Sequence, residues 1–248
     1  GNSMIEPDLE DRTALVTGSA RGVGREVLLG LAACGADVAV HYNTSEAAAG
    51  EVAEAARDAG VAATTVGADV TDPAEVAALF ETVESDLGPV EVLVNNVGAF
   101  DPRHWESLDH ADWERVVGTN LYGTYLASKE ALPDMREAGW GRIVNVGYAS
   151  SERGLVSAKN FPYFVAKNGV LMFTRMLAAD TMADGITVNA VSPYVVENSD
   201  EFPAELPRGR PASFEDVLQA VLFFLEDGSD YVSGQNLGVD GGWLPETV

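Results

Sequence analysis

Short apolar runs alternate with longer amphipathic stretches along almost the whole chain. The runs are rich in β-branched residues and predict strands, whereas the stretches between them show helical periodicity. The predicted strands are Thr13–Thr17, Asp37–Tyr42, Ala62–Val66, Val90–Asn95, Arg142–Val146, Thr187–Val191 and Leu237–Val239. The predicted helices are Gly24–Cys34, Ser45–Ala59, Pro73–Leu87, Asp112–Glu137, Tyr163–Ala183 and Phe214–Glu226. This alternation predicts an α/β fold: a doubly wound parallel seven-stranded sheet with helices on both faces.

The pattern contains no linker, internal repeat or low-complexity tract, so we expect one domain over residues 1–248. A chain of 248 residues that is 46% hydrophobic is long enough for one full core. Gly1–Ser3 precede Met4 and are interpreted as an expression scar. The Pro-rich segment Ser192–Pro211 is the one long irregular stretch, and residues 193–211 are expected to form a substrate loop.

The charge of the chain narrows the possible partners. It has 39 acidic and 15 basic residues, a net charge of -24, which disfavours nucleic acid and anionic membranes. The single cysteine, Cys34, excludes an internal disulfide framework and favours the cytoplasm. The acidic excess fits either a solubilising surface or a salt-rich cytoplasm, and both interpretations stay open. No metal site is predicted.

A glycine-rich turn follows the first predicted strand. In "TGSARGVG", Thr17 to Gly24, the glycines are Gly18, Gly22 and Gly24, with Arg21 and Val23 between them. Glycine permits a tight turn and lets backbone N–H groups approach a pyrophosphate at a helix N-terminus. The turn could be purely structural, but its place between a strand and a helix favours dinucleotide binding.

Tyr163 and Lys167 are four residues apart in the predicted helix Tyr163–Ala183. Residues at this spacing lie on one helix face, so the phenol and the ammonium can share a site. The alternative is a lysine whose stem packs on apolar surface while its ammonium reaches water. The chain has only three lysines, which makes this one more notable.

Several motifs together resemble the classical short-chain dehydrogenases/reductases, especially their ketoacyl reductase-like members. The matching segments, in family order, are "TGSARGVG", "NNVG" (Asn95–Gly98), "WERVVGTNLYG" (Trp113–Gly123), "YFVAK" (Tyr163–Lys167), "ITVNAVSP" (Ile186–Pro193) and "GQNLGVDGGW". The resemblance covers about residues 10 to 243. It implies a Rossmann-type sheet, a nicotinamide cofactor, a small carbonyl or alcohol substrate, and a homo-oligomer (tetramer or dimer) built on the helices Asp112–Glu137 and Tyr163–Ala183.

The resemblance also implies catalytic roles. Reduction of a carbonyl by hydride leaves an alkoxide that needs a proton, which Tyr163 would supply. Lys167 would lower the pKa of that phenol and hold the nicotinamide ribose. Asn120 matches the asparagine that kinks a helix in this family and carries a water linking the lysine to solvent. A buried polar cap is the structural alternative for Asn120.

The serine that usually donates a hydrogen bond to the substrate carbonyl is missing from its place after the fifth strand. Counting from the strand puts Gly147 and Tyr148 there, whereas counting thirteen residues back from Tyr163 reaches Ser150. Loops absorb insertions more readily than strands slip, so the strand count is preferred. Tyr148 is therefore predicted as the donor, and Ser150 stays open.

The segment after the second strand favours NADP(H) over NAD(H). NAD-specific family members place a carboxylate there, but "HYNTS", His41 to Ser45, contains none. Asn43 and Thr44, with the cation of Arg21, could hold a 2′-phosphate. The resemblance assigns further cofactor contacts to Asp69, Val70, Asn95, Gly98, Pro193 and Val196, besides Tyr163 and Lys167; for Asp69 a turn-forming role is equally compatible.

The sequence predicts an oxidoreductase that transfers a hydride between NADP(H) and a carbonyl or secondary alcohol. Its substrate pocket is expected to be aromatic-rich, with candidate residues Phe100, Trp105, Tyr148, Tyr194 and Phe202. Two alternatives remain open: a pteridine-type reductase, suggested by "VHYNTSEAA", and a non-catalytic NADP-binding regulator on the same fold.

Overall fold

Seven parallel strands form one sheet in the computed structural model, which describes residues 4–245. The expected scar Gly1–Ser3 lies outside the described residues. The strands are β1 (Thr13–Val16), β2 (Asp37–Tyr42), β3 (Ala63–Gly67), β4 (Val92–Asn95), β5 (Gly141–Val146), β6 (Ile186–Pro193) and β7 (Asn236–Val239). The helices are α1 (Gly22–Ala33), α2 (Glu46–Asp58), α3 (Pro73–Asp86), α4 (His110–Val117), α5 (Gly123–Ala138), α6 (Phe161–Asp180) and α7 (Phe214–Leu225). The predicted α/β class and seven-stranded parallel sheet are confirmed.

The strand order is β3-β2-β1-β4-β5-β6-β7, so the direction of winding reverses between β1 and β4. Val16 at the end of β1 pairs with Val40 on one side and Val94 on the other. A parallel sheet that reverses in this way opens a crevice beyond the carboxyl ends of its central strands, where ligands bind. The crevice therefore lies where β1 runs into the glycine-rich turn.

Helices cover both faces of the sheet, and each face has its own hydrophobic core. Alternate residues of β1 face opposite sides, so Val16 packs with Leu28 and Phe224, whereas Leu15 packs in the second core, which also contains Leu79 and Ile143. All six side chains are buried. The central strands are thus held on both sides, which gives the residues at their carboxyl ends a rigid support.

One predicted helix is divided in the structure. The periodicity predicts one helix over Asp112–Glu137, and the resemblance implies a kink at Asn120; in the structure α4 ends at Val117 and a π-helical turn, Gly118–Tyr122, precedes α5. The side-chain Nδ2 of Asn120 donates to the carbonyl of Val116 at 2.8 Å and to that of Ala99 at 2.8 Å. The side chain therefore competes for a carbonyl of its own helix, which helps to explain the widened turn.

Other boundaries differ by only a few residues. α6 begins at Phe161 and ends at Asp180, and β3 is displaced by one residue relative to its prediction. β6 continues to Pro193, so the irregular segment occupies residues 194–213 and contains a short 3₁₀ turn, Pro207–Gly209. Within residues 4–245 no helix combines the length and apolarity that crossing a membrane requires.

Candidate active site

The glycine-rich turn brings backbone groups to the crevice. Gly18 and Gly22 have positive φ angles of 64° and 58°, a region that favours glycine. A Cβ atom on Gly24 would overlap the carbonyl oxygen of Gly18, so only glycine lets α1 pack this closely on the turn. Arg21 occupies the N-cap position of α1 without a side-chain cap bond. The first N–H groups of α1 are therefore not bonded to a capping side chain. Together with the glycine-rich turn they form a backbone surface that fits the pyrophosphate of a dinucleotide.

A cavity of about 330 Å³ adjoins this turn. Its walls come from the turn and from the ends of β2, β3 and β4, with one residue from the π-helical turn. The lining residues are Gly18, His41, Asn43, Ala68, Asp69, Val70, Asn96, Val97, Gly98 and Thr119. Five of the predicted cofactor residues are among them: Gly18, Asn43, Asp69, Val70 and Gly98. The cavity thus brings these five residues together next to the glycine-rich turn.

Other predicted cofactor residues surround the crevice at different depths. Arg21 and Thr44 are exposed, Val23 is half-buried, and the side chain of Asn198 in the irregular segment lies against Gly22. Asp69 accepts hydrogen bonds from the backbone and hydroxyl of Thr71 at 2.9 and 2.7 Å. These bonds lower the pKa of Asp69. Asp69 therefore forms a turn and lines the cavity at the same time.

Three predicted cofactor residues lie deeper than the sequence suggested. Asn95 is buried and its Nδ2 donates to Asn145 at 2.9 Å, so within "NNVG" the asparagine that lines the cavity is Asn96. Pro193 ends β6, and its carbonyl accepts from the N–H of Ala149. Val196 packs in the core beside α7. The side chains of Asn95 and Val196 thus support the crevice from within.

Tyr163 and Lys167 lie one turn apart on α6, as their spacing predicts. The Nζ of Lys167 is 5.5 Å from the centre of the Tyr163 ring and donates to the carbonyl of Val146 at 2.7 Å. Lys167 is only 4% exposed, and burial lowers its pKa to about 8. The structure therefore excludes the alternative in which the ammonium reaches water.

The pKa of Tyr163 is shifted in the direction opposite to the sequence expectation. Burial raises the pKa of this phenol above its ordinary value, and the neighbouring Tyr148 raises it further. The ammonium of Lys167 is bonded to a carbonyl instead of the phenol, which explains why it does not offset the burial. A protonated phenol is suited to donate a proton.

Asn120 sits in the π-helical turn and is 1% exposed. Its backbone carbonyl accepts the hydroxyl of Thr124 at 2.8 Å, while its Oδ1 has no hydrogen-bond partner among residues 4–245. A Cβ on Gly98 would overlap this Oδ1, so the glycine permits close packing. The Asn120 side chain thus connects the loop after β4 to α4. These hydrogen bonds have a structural role.

Tyr148 follows β5 and its ring lies edge-to-face with that of Tyr163, with centroids 5.6 Å apart. Burial raises the pKa of Tyr148 to about 12. Ser150, the other candidate donor, is 6% exposed and has a positive φ of 62°. The structure therefore places the Tyr148 ring against Tyr163.

An aromatic cluster surrounds these two tyrosines. Phe100 lies edge-to-face with Tyr163 at 5.3 Å, and Tyr194 stacks on Trp243 at 3.8 Å with both rings within 6.4 Å of Tyr148. Two other residues predicted for the pocket lie elsewhere. Trp105 lines a separate shallow cavity with Trp113 and Phe161, and Phe202 is 47% exposed in the irregular segment.

Sequence reasoning missed several residues that shape the crevice. The hydroxyl of Thr17 accepts the N–H of Asn96 at 2.9 Å, His41 lines the cavity, and Trp243 closes the aromatic cluster. Trp243 ends the segment "GQNLGVDGGW". That segment was matched to the family, but the stacking of Trp243 on Tyr194 was not predicted. No local signal distinguishes His41, because its role depends on which strands neighbour β2.

The chain was compared with known proteins. A family model described as "Enoyl-(Acyl carrier protein) reductase" matches residues 18–244. A "Short-chain type dehydrogenase/reductase" of Picea abies is 34% identical, with 94% of this chain and 93% of the relative covered. A "Cis-4-hydroxycyclohexanecarboxylate dehydrogenase" of Sinomonas cyclohexanicum is 40% identical, with coverages of 94% and 96%.

A solved structure gives the same result at the level of the fold. The crystal structure of a proposed gluconate dehydrogenase from Agrobacterium tumefaciens superposes with a TM-score of 0.90 and 35% identity, covering 99% of this chain and 100% of the other. Family model, relatives and structure all span nearly the full chain. The protein belongs to the short-chain dehydrogenase/reductase family of oxidoreductases.

Proposed function

We propose that this protein is an NADP(H)-dependent reductase of a ketone or aldehyde, and that the reverse reaction oxidises a secondary alcohol. The observation that carries the proposal is the pairing of Tyr163 with buried Lys167 on α6, with the ring of Tyr148 beside that of Tyr163. The bound cofactor supplies the hydride. All other steps depend on the protein's own side chains.

Tyr163 donates the proton. Its raised pKa keeps the phenol protonated at neutral pH, so it can transfer a proton to the oxygen of a carbonyl as that oxygen gains charge. Lys167 keeps a fixed position through its bond to the Val146 carbonyl, one turn from Tyr163. With a pKa of about 8 it is mostly charged at pH 7 and stabilises the phenolate left after the transfer.

Tyr148 provides the second donor to the substrate oxygen. Its raised pKa of about 12 keeps this hydroxyl protonated, and its ring packs edge-to-face on that of Tyr163. The proposal requires both hydroxyls to reach the same substrate oxygen. Phe100, Tyr194 and Trp243 present apolar ring surface around the two phenols, which excludes water and favours an apolar, ring-bearing substrate. Such a substrate also agrees with the ring-containing acid named for the Sinomonas relative.

The preference for NADP(H) rests on charge. Two residues of "HYNTS" line the cavity, His41 and Asn43, and neither carries a carboxylate. Arg21 forms no salt bridge with any residue in the range 4–245, so its guanidinium is free to bind a 2′-phosphate. Asp69 is the one carboxylate that lines the cavity among residues 4–245, and it is exposed and accepts hydrogen bonds from Thr71.

A screen of cyclic, aliphatic and aromatic carbonyl compounds tests the function. Oxidation of NADPH is followed by loss of absorbance, with NADH in parallel and Tyr163→Phe as the inactive control. We expect turnover of at least one ring-bearing carbonyl that the control lacks. Tight NADPH binding without turnover across the panel would instead favour the non-catalytic regulator, and selective reduction of pterins would favour the pteridine-type reductase.

Cofactor titrations test the preference. NADPH should bind more tightly than NADH, and Arg21→Ala should reduce this difference by about 1–3 kcal/mol. Arg25→Ala is the matched control, because Arg25 is on the same helix and pairs with Glu26. Equal affinity of the wild type for both cofactors would contradict the NADP(H) assignment.

A further inference from the structure

His41 is a buried histidine with both ring nitrogens bonded. His41 is the last residue but one of β2 and lines the cavity, and it is 1% exposed. Nδ1 accepts the backbone N–H of Gly18 at 2.8 Å, and Nε2 lies 2.8 Å from the carbonyl of Ala68. Because a carbonyl can only accept, Nε2 carries the hydrogen and Nδ1 is bare. The ring is thus the neutral Nε2–H tautomer.

Through these bonds His41 connects three neighbouring parts of the crevice. Gly18 belongs to the glycine-rich turn after β1, His41 to β2, and Ala68 follows β3. The turn is further attached through Ser19, whose N–H donates to the His41 carbonyl at 3.0 Å and whose hydroxyl accepts the His41 N–H at 3.1 Å. The imidazole is therefore part of the support on which the turn rests.

The backbone N–H and the backbone carbonyl of Gly18 are both hydrogen-bonded to side chains. His41 accepts its N–H, and the Nδ2 of Asn96 donates to its carbonyl at 3.2 Å. Gly18 has a φ of 64°, and its carbonyl lies where a Cβ on Gly24 would be. A rotation of the Gly18 peptide would therefore move the start of α1, where the cofactor phosphates are expected.

A second proton on His41 would oppose this arrangement. It would convert Nδ1 from an acceptor into a donor that faces the N–H of Gly18. Burial lowers the pKa of His41 below its ordinary value, so the neutral form is favoured. Among the residues lining the cavity only Asp69 is also titratable, and its low pKa keeps it charged throughout. The other charged or titratable side chains on the neighbouring turn and strand include Arg21 and Tyr42.

We propose that neutral His41 is a positioning residue for the dinucleotide cofactor, holding the Gly18 turn in its binding conformation. Cofactor affinity then falls when the ring is protonated or loses its acceptor. This inference rests on the dinucleotide binding proposed above. The competing explanation, a histidine that only fills space in the core, requires that an apolar residue of similar size leave binding intact.

Binding of NADPH is measured by titration calorimetry between pH 8 and pH 5 for the wild type, His41→Leu and His41→Asn. Leucine keeps the volume without the hydrogen bonds, whereas asparagine offers an acceptor near the position of Nδ1 but cannot be protonated in this range. His110→Leu is the control, because the His110 side chain is 87% exposed. Circular dichroism verifies that each variant is folded.

We expect His41→Leu to bind NADPH at least about tenfold more weakly at pH 8, as for the loss of a buried hydrogen bond. His41→Asn should bind more tightly than His41→Leu and should lack the acid-dependent loss that the wild type shows. His110→Leu should behave as the wild type. A His41→Leu protein that is folded and binds normally would overturn the proposal; should it fail to fold, the pH profile of His41→Asn decides.

Nuclear magnetic resonance of the cofactor-free protein gives an independent readout. The chain has three histidines, and both His104 and His110 are exposed, so the His41 ring signals are readily distinguished. The ring should show the Nε2–H tautomer, and the Gly18 amide should shift with the same midpoint at which NADPH affinity falls. Different midpoints, or affinity unchanged after His41 gains its proton, would overturn the proposal. Failure of the wild type to bind either cofactor would refute the proposed function and this inference together, whereas normal NADPH binding by a folded His41→Leu protein would overturn this inference alone.

Discussion

In the proposed mechanism, proton transfer depends on a single hydroxyl, that of Tyr163. We expect Tyr163→Phe to reduce turnover by about 10²–10⁴-fold or more, the scale of general acid catalysis, with NADPH affinity nearly unchanged. Lys167→Ala should weaken both, because the family resemblance also assigns its ammonium to the nicotinamide ribose. Steady-state kinetics and calorimetry measure the two effects. Tyr125→Phe, an exposed tyrosine on α5, is the control, and wild-type turnover in Tyr163→Phe would refute the mechanism.

The identity of the second donor is decided by comparing two variants. Tyr148→Phe should lose about 10²–10³-fold in kcat, as when one oxyanion donor is removed, whereas Ser150→Ala should remain active. The reason is the placement of the Tyr148 ring 5.6 Å from that of Tyr163. If Ser150→Ala is the inactive variant, the count of thirteen residues from Tyr163 gives the correct register and the strand count does not.

Burial of Lys167 has a consequence for stability at alkaline pH. Its native pKa of about 8 lies below the ordinary 10.5, so the native state loses this proton first as the pH rises. The unfolded state then binds more protons, and the free energy of unfolding increases with pH above about 8. Relative to Lys167→Met, the wild type should gain at most about 1.4 kcal/mol per pH unit.

Urea unfolding at pH 7.5, 8.5 and 9.5 measures this slope. The other titratable groups are present in both proteins, so the difference between the two curves isolates the lysine. Lys129→Met serves as the control because Lys129 is exposed, and it should follow the wild-type slope. Parallel pH curves for the wild type and Lys167→Met would show that the lysine is not desolvated.

Among the elements, the start of α6 is positioned by a loop far away in sequence. The N–H of Asn160, which precedes α6, donates to the carbonyl of Arg103 at 3.1 Å. Asp101 on this loop accepts bonds from Arg103 and Arg115, which hold its pKa at about 2. The loop after β4 is thereby attached to α4 and to α6 at once. Tyr163, three residues beyond Asn160, takes its place from this connection.

The glycine-rich turn and α1 form a second unit in which close approach is essential. In Gly24→Ala the new methyl would overlap a backbone oxygen, which cannot move aside like a side chain. We expect a loss of about 1–3 kcal/mol in stability and weaker NADPH binding, because α1 must move away from the turn. Thermal unfolding and calorimetry measure both.

Gly50→Ala is the matched control for that substitution. Gly50 lies within α2, and a Cβ there would meet no atom within 4 Å. Alanine should therefore stabilise the helix by about 0.5–1 kcal/mol and leave cofactor binding unchanged. Equal effects of the two substitutions would show that the packing of α1 on the turn has no special importance.

At the scale of the whole molecule, an exposed apolar face agrees with the homo-oligomer that the family resemblance implies. Side chains on the π-helical turn, α5 and α6 contribute to it: Tyr122, Tyr125, Val165, Met172 and Met176 are each at least 38% exposed. We predict that copies of the chain associate through this face. Because each chain has a net charge of -24, association should strengthen with salt, which screens the repulsion.

Analytical ultracentrifugation at 0.05 and 0.5 M NaCl tests this prediction. Met172→Glu combined with Met176→Glu should shift the protein toward monomer, because burying two carboxylates without partners is unfavourable. Met182→Glu is the control, since Met182 is 82% exposed just beyond the end of α6. A wild type that is monomeric at both salt concentrations would contradict the prediction.

The sequence by itself determined the class of the fold and the spacing of the reactive pair. Strand and helix periodicities are local properties, and the i, i+4 spacing of Tyr163 and Lys167 places both on one helix face in any context. The glycines of the first turn are likewise recognisable from local chain geometry, because a positive φ and a close approach both require them.

The tertiary structure decided the properties that depend on neighbours remote in sequence. It placed Asn96 instead of Asn95 at the cavity, raised the pKa of Tyr163 where a decrease was expected, and divided the helix around Asn120. It also bonded His41 to Gly18 and Ala68, which are 23 and 27 residues away. Burial and hydrogen-bond partners are set by which strands lie side by side, and that order is a property of the folded sheet as a whole.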